Sequence, residues 1–137
     1  MRIVVDTNLF VSALIRPNGI PAQILTHETP FQLVTTEEIL VELERVLGYP
    51  RINRKYNLSD ETVREYLARI RDDSDLVEIS DSAAGVSPDP DDDKFLACAA
   101  ESGANYIVSG DPHLYSLGDY MGIPILTPRQ FLDLLSS

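Results

Sequence analysis

The sequence has a single cysteine, Cys98, in 137 residues. No intrachain disulfide can form, which fits a reducing, cytoplasmic setting. Cys98 stands among alanines and reads as a small buried hydrophobe. With one cysteine and two separated histidines, His27 and His113, no zinc-binding spacing is present. A glycine-rich phosphate loop and a G-x-S-x-G turn are both missing. Their absence argues against P-loop nucleotide chemistry and a serine-hydrolase site. No apolar run reaches bilayer-spanning length, so no membrane association is expected. Met1-Arg2 runs straight into a strand, so no secretory leader is expected either.

Positive charge is also scarce. Eleven Lys and Arg face 22 Asp and Glu, giving a net charge of −11 and a pI near 4.4. This argues against broad electrostatic binding to nucleic acid, which needs cations on phosphates. The cations are unevenly placed, however. Arg45, Arg51, Arg54, Lys55, Arg64, Arg69 and Arg71 share one middle segment. Acids interleave there, so a solvated helical face is the ordinary reading. A local basic rim beside an acidic pocket is the functional one. Hydrophobic residues at 44% and charged residues at 24% are ordinary for a globular chain. One domain over 1–137 is expected.

The strongest single stretch is Ile3-Val4-Val5-Asp6-Thr7-Asn8. Three β-branched residues predict a strand buried on both faces, running into a carboxylate, a hydroxyl and an amide. Further strands are predicted over 31–35, 76–79, 106–109 and 123–126. Helices are predicted over 9–15 and 21–27, from Thr35 or Thr36 to 47, over 59–70 and 91–102, and from 128 onward. Loops are expected over 49–58 and 80–90. Thr35-Thr36-Glu37-Glu38 and Thr127-Pro128-Arg129-Gln130 both have capping-box spacing. Short apolar strands alternating with helices predict an α/β fold with a mostly parallel sheet.

In such a sheet, acids at strand ends reach the carboxyl edge, where open α/β folds bind ligands. Asp6 follows the first strand and Asp111 the fourth. Either could simply cap a helix. Asp89-Pro90-Asp91-Asp92-Asp93 opens a helix with more acid than capping needs. Asp92 or Asp93 could border its buried face. Glu42 borders the apolar stripe of the 36–47 helix, but Glu38 shares that edge. Several carboxylates in one pocket repel unless a cation neutralises them. Oxygen-only ligands suit Mg²⁺ or Mn²⁺ rather than zinc.

These pieces in this order resemble the PIN-domain ribonucleases. The carriers are Val4-Val5-Asp6-Thr7-Asn8, the helix over 38–47, Asp89-Pro90-Asp91-Asp92-Asp93-Lys94-Phe95-Leu96-Ala97 and Tyr106-Ile107-Val108-Ser109-Gly110-Asp111. Most similar is the branch described as toxin components of toxin–antitoxin systems, related to VapC toxins. The resemblance implies a three-layer domain with a five-stranded parallel sheet in the order 3-2-1-4-5. It implies an Mg²⁺ or Mn²⁺ site from Asp6, Glu42, Asp93 and Asp111, with Glu38 in reserve for Glu42. Thr7, Asn8 and Ser109 would give polar support. It also implies cleavage of single-stranded or looped RNA, a cognate antitoxin protein and a homodimer. Arg51, Arg54 and Lys55 are the expected phosphate contacts. Tyr115, Tyr120, Met121, Phe131, Leu132, Leu134 and Leu135 would offer a dimer patch, or else pack in the core.

Two rival classes stand beside this. A receiver-type phosphoacceptor domain would want paired acids after the first strand, an Asp after the third and a Lys after the fifth. Asp6 stands alone, the third strand ends Glu78-Ile79-Ser80-Asp81, and Leu126-Thr127 follows the fifth. A non-catalytic PIN-like binding module is the second rival. An intact acid quartet speaks against it.

Overall fold

Ile3, Val4 and Val5 are stiff at χ1 and favour extended backbone. They form β1 (Arg2–Val5). The computed structural model describes residues 1–79 and 93–137. β1 pairs in parallel with β2 (Gln32–Thr35) on one side and β4 (Tyr106–Val108) on the other. β3 (Ser74–Leu76) extends the sheet beyond β2, and β6 (Ile123–Leu126) extends it beyond β4, both parallel. A two-residue strand, β5 (Asp119–Tyr120), lies antiparallel along β6. The order is β3-β2-β1-β4-β6-β5. β6 is the expected fifth strand, so the expected order stands with β5 added at the edge.

Successive side chains of a strand point to opposite faces. Ile3 and Val5 therefore enter one core and Val4 the other. The first core takes residues from α1 (Thr7–Ile15), α2 (Ile20–Leu25), α3 (Glu37–Leu47), α5 (Asp60–Asp73) and α8 (Pro128–Ser136). The second takes residues from α6 (Asp93–Ser102) and α7 (Pro112–Tyr115). The result is the expected helix–sheet–helix arrangement. Cys98 is fully buried in the second core, and burial pushes its thiol pKa up to about 12. α5 is tied to α1 where the Tyr66 hydroxyl donates to the Phe10 carbonyl at 2.6 Å.

Some elements differ from expectation. α5 runs to Asp73, and β3 follows it directly over Ser74–Leu76 in place of the expected 76–79. The expected loop over 49–58 contains α4 (Pro50–Asn53). Thr36 rather than Thr35 caps α3, accepting from the Ile39 amide at 3.2 Å. Glu38 then falls at the second helical position, and no capping box forms there. At α8 the box closes as read, with Thr127 and Gln130 satisfying each other's amides. Phe131, Leu132 and Leu135 are buried, so they pack the core and offer no dimer patch. Tyr115, Met121 and Leu134 are exposed. The loop read over 80–90, with Asp89, Asp91 and Asp92, lies outside the described residues. No helix among the described residues is long and apolar enough to cross a membrane.

Candidate active site

The site begins where β1 ends. Asp6 is the N-cap of α1, and its Oδ1 accepts from the Leu9 amide at 2.8 Å. The capping role is thus real, but it uses one oxygen. The other, Oδ2, accepts from the Ser109 hydroxyl at 2.5 Å. Ser109 follows β4, and the parallel β1–β4 pairing brings the two strand ends together. Both residues are buried, with Asp6 3% exposed and Ser109 0%. Ser109 Oγ also accepts from the Asp111 amide at 2.9 Å. One hydroxyl therefore links the Asp6 carboxylate to the backbone that carries Asp111.

Asp111 caps α7, its Oδ1 accepting from the His113 amide at 2.9 Å. From the opposite side, α3 presents Glu42. Its Oε2 accepts from the buried Thr7 hydroxyl at 3.0 Å. The same oxygen lies 2.9 Å from the Lys94 ammonium on α6. Glu38 is exposed and makes no such contact, so α3 brings Glu42 to the site and turns Glu38 to solvent. Asp93 is half-buried at the described start of α6, beside Lys94.

Burial raises the Asp6 pKa above the ordinary carboxyl value. The bonds from Ser109 and Leu9 pull it back down, and the charges of Asp111 and Glu42 push it up again. Two of the other expected acids thus act electrostatically on Asp6. Among the described residues, no group of three Asp, Glu, His or Cys stands close enough to enclose a metal ion. Each of the Asp6, Glu42 and Asp111 carboxylates accepts a hydrogen bond, and Glu42 also pairs with a cation.

The donor set still fits a hard divalent ion. It consists of oxygens alone, and it concentrates like charges around a buried carboxylate that lacks a cation of its own. Beside it opens a cleft of about 460 Å³ lined by Asp6, Asn8, Ser12, Gly110, Asp111 and Pro128, among others. Asn8 is exposed on that wall. Thr7, Asn8 and Ser109 therefore all stand at the site, the first and last as partners of acids.

Arg51, Arg54 and Lys55 are exposed on α4 and the turn after it. They do not line this cleft. Arg51 stacks over Tyr49 at 5.3 Å and Lys55 over Tyr56 at 5.5 Å. Lys94 is the residue that the sequence reading passed over. Its signal was its place directly after the Asp run.

Comparison with known proteins agrees with this fold. Residues 2–113 match the PIN domain family. The chain is 34% identical to the uncharacterized protein MJ1680 of Methanocaldococcus jannaschii, over 97% of this chain and 90% of that protein. The crystal structure of PAE2754 from Pyrobaculum aerophilum superposes with a TM-score of 0.66. That match covers 99% of this chain and 90% of the other at 15% identity, which speaks to fold alone.

Proposed function

Because the chain belongs to the PIN domain family, whose members are generally nucleases, we propose that it is a ribonuclease that hydrolyses single-stranded or looped RNA with Mg²⁺ or Mn²⁺. The observation that carries this is the buried Asp6 carboxylate at the end of the central strand, loaded by the charges of Asp111 and Glu42. Asp6, Glu42, Asp93 and Asp111 would hold the cation. Bound there, a divalent ion polarises a phosphate and makes water a better nucleophile at neutral pH.

The chain's own residues do the rest. Thr7 orients Glu42, and Ser109 orients Asp6 while fixing the turn that carries Asp111. One of these carboxylates accepts the proton of the attacking water. In-line attack on phosphorus then breaks the P–O3′ bond and leaves a 5′ phosphate. Asn8 on the cleft wall is a polar contact for the nucleotide. A cleft of this kind suits unpaired RNA, because the bases of an A-form helix are hard to reach. Arg51, Arg54 and Lys55 would take phosphates further along the strand. In this reading the protein is the toxin of a toxin–antitoxin pair, working in the cytoplasm as a homodimer. The ordered similarity of its four motifs to such toxins supports that.

The test is cleavage of a pool of short single-stranded RNAs with Mn²⁺, Mg²⁺ or EDTA. Cutting is expected with either metal and none with EDTA. Ser109→Ala should lower the rate by roughly 10–100-fold, the usual cost of removing a ligand's hydrogen-bond partner. Asp6→Asn should cost more than about a hundredfold, since it removes the ligand itself. Full activity in Asp6→Asn would sink the site.

A second reading has one observation in its favour: no three described acids enclose an ion as they stand. A binding module without catalysis would show this too. It predicts no Mn²⁺ binding at millimolar concentration by isothermal titration. The receiver-type alternative falls, because the family match is to PIN domains.

A further inference from the structure

Lys94 is a nearly buried cation inside an acidic site. Its side chain is 10% exposed, and its ammonium lies 2.9 Å from Oε2 of Glu42, itself 22% exposed. The partner carboxylate is no bystander, since its charge acts on Asp6 and the same oxygen is oriented by Thr7. Long ammonium side chains are costly to bury unless a charge compensates.

From this geometry we infer that Lys94 is a built-in counter-cation that competes with a divalent ion for Glu42. The inference rests on the metal-site reading above. Lys94 occupies the Glu42 oxygen when no ion is bound. Taking up an ion through Glu42 requires the ammonium to give way, so each binding event works against an existing pair. Lys94 thus sets how much free metal the site needs, and it acts through Glu42 as a positioning residue.

A brace and a competitor predict opposite signs. Loss of a brace would weaken metal binding, whereas loss of a competitor strengthens it. Mn²⁺ titration by calorimetry on Lys94→Gln should show binding at least about tenfold tighter than wild type. That is a modest allowance for removing one charge roughly 4 Å away at an effective dielectric between those of surface and water. In a Glu42→Gln background the same change should have little effect, because the contested oxygen has lost its charge. Lys94→Arg should bind like wild type. Circular dichroism in EDTA checks that every variant folds.

Equal or weaker Mn²⁺ binding by a folded Lys94→Gln protein would overturn the inference and leave the metal site standing. An equal gain in the Glu42→Gln background would overturn it too, since the effect would then be a general field and no competition. Failure of both wild type and Lys94→Gln to bind Mn²⁺ would remove the metal-site reading and this inference with it.

Discussion

Asp6 carries two opposed contributions in one carboxylate. Burial and the neighbouring acids disfavour its charge, while Leu9 and Ser109 favour it, and the net shift is upward. A carboxyl raised in the folded state subtracts stability once it ionises. That cost is absent below the ordinary carboxyl pKa and grows as pH rises through the higher folded value. Asp6→Asn removes the charge but keeps an oxygen for the Leu9 amide and places an amide beside Ser109. In EDTA at neutral pH the variant should therefore melt above wild type, with the gap closing toward pH 4. Added Mn²⁺ should raise the wild-type melting temperature and leave the variant unmoved. A variant less stable at every pH would mean that the two hydrogen bonds outweigh the burial.

At this scale the sequence announced the acids but not their partners. Asp6 and Asp111 were legible because each follows a strand rich in β-branched residues. Glu42 could not be separated from Glu38 by stripe geometry alone, since both border the apolar face of α3. What separates them is long-range. Thr7 lies 35 residues from Glu42 and bonds to it, and only the packing of α1 on α3 makes that pair. Lys94 was hidden for the same reason.

At the scale of elements, α8 shows how a terminal helix can be integral to the core. Thr127 and Gln130 start it, and Phe131 is fully buried beneath it. The Phe31 ring meets Phe131 edge-on with centroids 5.4 Å apart. Phe131→Ala removes that contact and leaves a cavity, so it should cost about 3–5 kcal/mol in urea unfolding. A loss under about 1 kcal/mol would mean that α8 only lies on the core surface. The long elements with clear period were all legible, including this one. The missed ones are short. α4 and α7 are four residues each and β5 is two, too brief for periodicity to register. β5 and β6 are joined through Met121 and Gly122, both at positive φ, 51° and 81°. That is the turn pattern two-residue hairpins favour, but Met in place of Asn or Asp hides its usual signal.

For the whole molecule, the proposed activity raises the question of how a chain of net charge −11 would hold RNA. The answer lies in how its cations are spent. Arg2, Arg71, Lys94 and Arg129 are engaged with Asp75, Glu37, Glu42 and Asp133. Arg16, Arg45, Arg51, Arg54, Lys55, Arg64 and Arg69 form no ion pair with another described residue. All of these but Arg16 lie in one stretch, over 45–69. Within it, Tyr49 under Arg51 and Tyr56 under Lys55 give flat, cation-topped faces of the kind that unpaired bases stack on. RNA binding should therefore be local and steeply salt-dependent. Neutralising Arg51, Arg54 and Lys55 together as Gln should flatten the plot of log affinity against log salt by about 2, at roughly 0.7 per phosphate contact on a single strand. The measurement is fluorescence anisotropy of a labelled single-stranded RNA from 50 to 300 mM salt, on the order of the range where such slopes are resolved. An unchanged slope would move the phosphate contacts off this segment, and the acidic cleft would then have to find its RNA by another face.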